Sequence, residues 1–350
     1  MPPLGILVSM QRPDPLPLLL GDAFTRAQGL AAGLSASRLR SSDLVIPFHG
    51  VRMSARAFDQ PDDADPDPFA DPLAEAVRRL SDAYALRLPA GVHLSHSTAA
   101  VRHGIPLPAR AFPMTGSPSR AASARVQVEA AIASPGRAPR GPRVRGHQAR
   151  PGFEPVMLLH GVPVATPAAT WASLAPRLGV DELVAVGDAI VRIPRIPGPL
   201  GHVLRAPLAT FDELDAVIRA GRRVGIGKLR EARTLIRVGS ASPKETELRL
   251  ALSHRVTMST PVLDFDVYAR GVFLGCSEIA YPDYQVAVEY EGDYHRTDRR
   301  RWAKDIDKYE AYAAAGWRVV QITAEHLRQT GEPARRVRDA LRQAGWEPRR

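Results

Sequence analysis

The clearest periodicity in the chain lies toward its C-terminal end. In YQVAVEYEG, period-two alternation places Val286, Val288 and Tyr290 on one face of a strand and Ala287, Glu289 and Glu291 on the other. Two further extended runs precede it, PVLDFDVYA and GVFLGCSEIAY. Ahead of these, SPKETELRLALSH predicts a helix. Ser242 is its cap, Pro243 takes the first position, and Glu245 stands three residues after the cap. Beyond the strands, RRWAKDIDKYEAYAAAG predicts a polar amphipathic helix ending at Gly316. WRVVQIT reads as a buried strand, and AEHLRQ starts a last helix. The order over 239–350 is therefore helix, three strands, helix, strand, helix.

Upstream patterns are shorter. Over 15–58, Thr25 can cap a helix RAQGLAA that ends at Gly33. Ser35 can cap a second, SASRLRS, which presents Arg38 and Arg40. LVIPFHGVRM, containing Arg52, predicts a two-stranded wing. Such a winged helix-turn-helix would lay its second helix in a major groove and its wing on phosphates. A small helical protein-interaction domain fits the same pattern. Residues 59–72 carry six aspartates and no cation, and read as a solvated linker or loop. From 73 to 238 the patterns are mixed α/β. Helices are expected at PLAEAVRRLSDAYALRL, HSTAAVRHG, ATWASLAPRL and VDELVAVGDAIVRI, and strand-like pieces at RVRGHQ and EPVMLLHGVPVAT. Residues 120–150 hold seven arginines against one acid, Glu129. GRRVGIGKL misses a phosphate loop, because Gly221 and Gly227 are one residue too far apart and Leu229 replaces the hydroxyl residue that holds magnesium. His93 and His96 lack a further ligand at metal spacing and read as structural. The fold class is an α/β (α+β) multidomain protein.

Composition narrows the function classes. The 350 residues are 45% hydrophobic and 24% charged, which excludes a wholly disordered or fibrous chain. The formal charge is +10, and all but four of the 47 cations are arginine. Arginine-rich positive charge favours polyanions, nucleic acid among them. The single cysteine, Cys276, excludes intrachain disulfides and cysteine-based zinc sites and suits a cytoplasmic setting. No stretch approaches the ~18–20 apolar residues of a membrane span. The first twenty residues lack the basic start of a signal peptide.

Two acids on one face of a valine-rich strand need a reason, because strands disfavour acidic residues. If Tyr281 pairs with Tyr284 across a tight turn at Pro282-Asp283, Glu278 lies opposite Ala287 and diagonal to Glu289. Glu278, Glu289 and Glu291 then converge, and three like charges repel unless a cation or protons intervene. An all-oxygen donor set suits Mg²⁺ or Mn²⁺, as hydrolysis of a phosphodiester requires. His295 could serve as acid/base or phosphate contact, and Lys304 and Lys308, four apart on a helix, could clamp phosphate. The bland alternatives are a capping box at Glu245, a solvated sheet face for the three strand glutamates, and a helix ion pair between Asp305 and Lys308.

SPKETELR, EIAYPDYQVAVEYEGDYHR and KDIDKYEAYAAAGWRVVQIT together resemble a domain-of-unknown-function family related to very-short-patch-repair endonucleases, within the PD-(D/E)XK nuclease superfamily. The resemblance covers about residues 240–330. It implies a restriction-endonuclease-like αβββαβ core over 239–350 and an Mg²⁺- or Mn²⁺-dependent endonuclease activity. Glu245 matches the helix acid, and Glu278 stands where the family has its metal-binding aspartate. Glu289 matches the first acid of the E-x-K element, Glu291 replaces its lysine, and His295 matches the histidine after the glycine turn. FTRAQGLAAG, SRLRSSDLVIPFHGVRM and LSHSTAAVRHGIPLP, with GVPVATPAATWASLA and VDELVAVGDAIVR, resemble actinobacterial AbiEi-type antitoxins. That likeness implies DNA as partner, leaves a cognate toxin or a second copy open, and offers an alternative: a non-catalytic DNA-binding regulator on a degenerate nuclease fold.

Overall fold

The computed structural model describes residues 14–59, 71–116, 125–253, 260–292 and 299–347. They form two compact units. One takes the chain up to Arg102 together with Ala109–Thr166; the other takes His103–Pro108 and everything from Pro167 onward. No helix among the described residues is long and apolar enough to cross a membrane.

The first unit begins with a small antiparallel sheet in the order β1 (Ala23–Thr25), β3 (Val51–Ser54), β2 (Leu44–Val45). Helix α1 (Arg26–Ala31) starts at a capping box. Gln28 N donates to Thr25 Oγ1 at 3.1 Å, and Thr25 N donates to Gln28 Oε1 at 2.8 Å. The expected second helix, SASRLRS, is instead a single 3₁₀ turn, Arg38–Arg40. Ser35 caps this turn as expected, its Oγ accepting from Arg38 N at 3.1 Å, but the turn does not propagate beyond Arg40. Helix α2 (Ala55–Asp59) closes the segment.

Of the acidic stretch 59–72, residues 60–70 lie outside the described residues. Its ends are helical boundaries: Asp59 closes α2, and Asp71 caps α3 (Pro72–Ala85) through its Oδ1, which accepts from Leu73 N at 2.9 Å. A six-stranded mixed sheet follows in the order β6 (Arg140–Gly141), β7 (Val144–Ala149), β5 (Val128–Ala133), β4 (Val92–Leu94), β9 (Val162–Ala165), β8 (Val156–Leu159). Helix α4 (His96–Arg102) leaves directly from β4.

The second unit opens with helices α5 (Pro167–Leu174), α6 (Val180–Val191), α7 (Phe211–Arg219) and α8 (Ile226–Leu235). In GRRVGIGKL, Gly225 takes a left-handed φ of 83° to start α8, and Lys228 Nζ donates to Leu178 O at 2.5 Å. Next come α9 (Pro243–Ser253), β10 (Val262–Ala269), β11 (Val272–Tyr281), β12 (Val286–Glu291), α10 (Arg299–Ala314), β13 (Arg318–Thr323), α11 (Ala324–Arg328) and α12 (Glu332–Gln343). The sheet runs β10-β11-β12-β13, antiparallel except for the parallel last pair. Leu248, Leu252, Ile279, Tyr281, Val286, Val288, Val337 and Leu341 pack as one core, so α9 and α12 cover one face. Tyr312 of α10 packs with Ala280, Ala287 and Val267 on the other.

Residues on both sides of the expected 238/239 boundary fall in the second compact unit. A buried polar lock ties α6 to α9 within it. Asp188 Oδ2 accepts from Thr246 Oγ1 at 2.8 Å and from Arg249 Nη2 at 2.7 Å, and Asp188 Oδ1 accepts from Arg237 N at 2.8 Å. The Asp188 and Arg249 side chains are only 1% and 5% exposed. Removing one partner strands the other's charge in the interior. Asp188→Ala should therefore lower the unfolding free energy by about 3–5 kcal/mol, read from urea denaturation. An unchanged midpoint and slope would show that the lock carries no such role.

Candidate active site

The turn between β11 and β12 is a 3₁₀ turn, Pro282–Tyr284, followed by Gln285 at a left-handed φ of 50°. The extra length shifts the expected register by two. Tyr281 pairs with Val286, Ala280 with Ala287 and Ile279 with Val288. Continuing one step sets Glu278 across from Glu289 rather than diagonal to it. The expected parity is what the packing shows: Val286 and Val288 lie in the core against α9 and α12, and Ala287 faces α10.

Glu245, Glu278, Glu289 and Glu291 line one cavity of about 410 Å³, together with Lys308 and Tyr309. Each acid is held differently. Glu245 Oε2 accepts from Ala241 N at 2.6 Å while Glu245 N donates to Ser242 Oγ at 3.2 Å, so the residue both caps α9 and lines the cavity. Glu278 Oε2 accepts from Tyr290 N at 2.8 Å. Glu291 Oε1 accepts from Tyr309 Oη at 2.7 Å and from Gln321 Nε2 at 3.0 Å. Glu289 is 3% exposed, and its Oε1 has no hydrogen-bond partner.

Lys308 occupies a place that sequence spacing did not assign to it. Its Nζ lies 3.1 Å from Glu289 Oε2 and donates to Cys276 O at 3.1 Å. Tyr312, one turn on, is fully buried against the sheet, so the i, i+4 relation carries Lys308 onto the same face of α10. That apolar position was the available signal. Gly275, at φ 150°, leaves room for the lysine stem: a Cβ there would stand 2.9 Å from Lys308 Cγ. β12 carries a second acid, Glu291, two residues after Glu289, and an ammonium reaches Glu289 from α10. Lys304 is exposed, whereas Lys308 is half-buried against Glu289.

Burial governs the electrostatics. It pushes the Glu278 carboxyl up to about 9, with Glu245 and Glu289 adding to the shift and Tyr290 N–H opposing it. Burial also raises Glu289, against the pull of Lys308. It raises Glu245, against the Ala241 N–H. Crowded carboxyls that resist ionisation, beside an unpartnered buried oxygen, call for an outside partner, and Glu278, Glu289 and Glu291 are the residues whose oxygens would have to hold it. Their ligand atoms do not gather within 4.8 Å of one another as three; among the described residues that gathering is found at His96, Glu129 and His147.

At one rim, the segment after α6 is locked by charge. Arg195 Nε lies 2.6 Å from Asp264 Oδ2, and its Nη1 lies 2.8 Å from Asp266 Oδ2. The Cys276 thiol donates to Asp264 Oδ1 at 3.1 Å and is pushed well above its usual range by burial. Neither aspartate was singled out from sequence, because only the fold brings Arg195 to them.

His295 lies outside the described residues. Two of the arginines expected on DNA have internal partners. Arg38 makes two bonds to Asp43, at 2.9 and 2.8 Å, and its Nε donates to Asp14 O at 2.9 Å. Arg52 is 9% exposed; its Nε donates to Leu39 O at 2.7 Å and its Nη1 to Val51 O at 3.1 Å. They hold the small sheet together, and Arg40 is the exposed cation of the set.

The chain is similar to two curated proteins of Mycobacterium tuberculosis. They are Uncharacterized protein MT2308, of strain CDC 1551 / Oshkosh, and Uncharacterized protein Rv2248, of strain ATCC 25618 / H37Rv. Each is 28% identical over 155 residues, which is 41% of this chain and 53% of the relative. The chain thus spans about half the length of the curated relatives it matches. No family model matches it, and no solved structure does.

Glu278 generates a pH signature. Its folded carboxyl holds a proton far above the ordinary value of 4.5, so its contribution is complete below that value and is lost as pH rises through about 9. Relative to Glu278→Gln, chelator-treated wild type should lose stability steadily across that window, measured by denaturant unfolding at a series of pH values. A flat difference would show that Glu278 is not desolvated.

Proposed function

We propose that the chain is a metal-dependent endonuclease that hydrolyses phosphodiester bonds in DNA. The observation that carries this reading is the convergence of Glu245, Glu278, Glu289 and Glu291, from one helix and two strands, on a cavity shared with Lys308. The αβββαβ order and the +10 charge support it.

In this reading Glu278, Glu289 and Glu291 hold Mg²⁺ or Mn²⁺, with Glu245 as an outer carboxylate. The ion supplies charge stabilisation on a phosphoryl oxygen and lowers the pKa of a water bound to it. Lys308 favours the charged form of Glu289 against the opposing effect of burial, and points an ammonium at the place where negative charge develops. Tyr309 fixes the Glu291 carboxylate through its 2.7 Å bond. Arg192, on the cavity wall, can meet the incoming phosphate backbone. Arg40 is the exposed N-terminal cation proposed to contact DNA.

A nicking assay on supercoiled plasmid with Mg²⁺ or Mn²⁺ tests the assignment. Glu289→Ala should abolish cleavage and leave DNA retention intact. Lys308→Met should slow cleavage by roughly a hundred- to a thousandfold, the usual effect of losing one stabilising donor. Full cleavage by Glu289→Ala would discard the site. Wild type that fails to nick under any divalent ion, yet binds DNA with a steep salt dependence, would replace the nuclease by the DNA-binding regulator.

A further inference from the structure

We propose that His96, Glu129 and His147 form a second metal site, in the first unit, that binds a zinc-type dication and is independent of the carboxylate cavity. Their ligand atoms lie within 4.8 Å of one another. They come from three elements that the sheet brings together. Glu129 sits on β5, His147 on β7 and His96 at the start of α4. Glu129 pairs with Arg145 and Ala131 with His147, so Glu129 and His147 are diagonal neighbours on one face.

The cluster is built rather than incidental. The Glu129 carboxylate is fully buried, and Ser97 fixes it from one side: Ser97 N and Oγ donate to Oε2 at 3.0 and 2.6 Å. The other oxygen, Oε1, lies 2.8 Å from His147 Nε2. Two backbone bonds tie the same strand to the same turn. Ser95 N donates to Glu129 O at 3.0 Å, and Glu129 N donates to Thr98 Oγ1 at 2.8 Å. Between these anchors His96 is held at φ 51°, a left-handed conformation that a histidine rarely adopts. That backbone carries the His96 ring onto His147, with ring centroids 3.7 Å apart and planes 17° from parallel.

Chemistry then selects the ligand. Two imidazolium rings stacked so closely would repel, whereas two neutral rings beside a carboxylate offer lone pairs to one cation. Two nitrogens and one oxygen make a borderline donor set that suits zinc, unlike the all-oxygen cavity of the other unit. The His147 side chain is 22% exposed, so an ion can enter from solvent. When it does, His147 presents its Nε2 lone pair and carries its proton on Nδ1. Binding requires the stack to open, the two ring planes turning so that both in-plane lone pairs aim at one point at the ~2.0–2.1 Å of metal–nitrogen bonds. Ser97 then acts as the group that orients the carboxylate ligand.

The test uses the full chain, stripped with a chelator and titrated with zinc chloride by calorimetry, with cobalt(II) absorption as a second readout. Wild type should bind one zinc ion at this site, shift the cobalt spectrum, and melt at a higher temperature with zinc than without. His96→Asn is the decisive variant, because asparagine accepts a left-handed backbone and the fold is retained; its melting temperature in chelator verifies this. It and His147→Gln should bind zinc at least about tenfold more weakly. Glu289→Ala should bind this zinc as wild type does. The proposal is overturned if wild type takes up no zinc, if both histidine variants bind it unchanged, or if Glu289→Ala abolishes uptake, which would move the ion to the carboxylate cavity.

Discussion

The second unit depends on how it keeps charge in its interior. Glu278 and Glu289 are withdrawn from water, and a buried carboxylate without compensation costs several kcal/mol or takes up a proton. Here the compensation is partial by construction. Lys308 meets one oxygen of Glu289 and leaves the other unpartnered, while Glu278 receives one backbone N–H and faces two acids. A scaffold that merely had to be stable would fill these positions with apolar side chains. A half-satisfied set of acids is the feature on which the proposed metal site rests.

The surrounding architecture holds that set in place. The Asp188–Arg249 pair fastens α6 to α9, and α9 carries Glu245 into the cavity. The apolar face of β12 anchors the strand through Val286 and Val288, which fixes the opposite face at Glu289. On α10, Tyr312 is sealed against Ala287, and Lys308 follows one turn before it. Gly275 keeps β11 clear of the lysine stem. The cavity is thus set by ordinary core packing one residue away from each polar group.

Much of this was legible in the order of residues. Alternation along YQVAVEYEG sorts its acids onto one face, and the capped helix at Ser242 begins where the spacing predicts. What was not legible depended on distance. A turn three residues long, with Gln285 left-handed, moved the β11–β12 register by two positions, and no local propensity at Gln285 announces that. SASRLRS is capped at Ser35 as its pattern predicts, yet it forms only the single turn Arg38–Arg40. Arg38 and Arg52 looked like free cations because their partners, Asp43 and the carbonyls of Leu39 and Val51, become neighbours only after folding.

The histidines make the same point from the other direction. His93 and His96, read along the chain, have no ligand at metal spacing; across the sheet, His96 meets a histidine 51 residues later and a glutamate between them. Sequence spacing detects metal sites whose donors share one helix or one loop, and it is blind to sites assembled by strand neighbours. The two donor sets also differ in kind. In the proposed readings, oxygen-only acids beside a lysine suit a hard cation, whereas imidazoles with a clamped carboxylate suit a borderline one, so donor chemistry would direct different dications to the two sites.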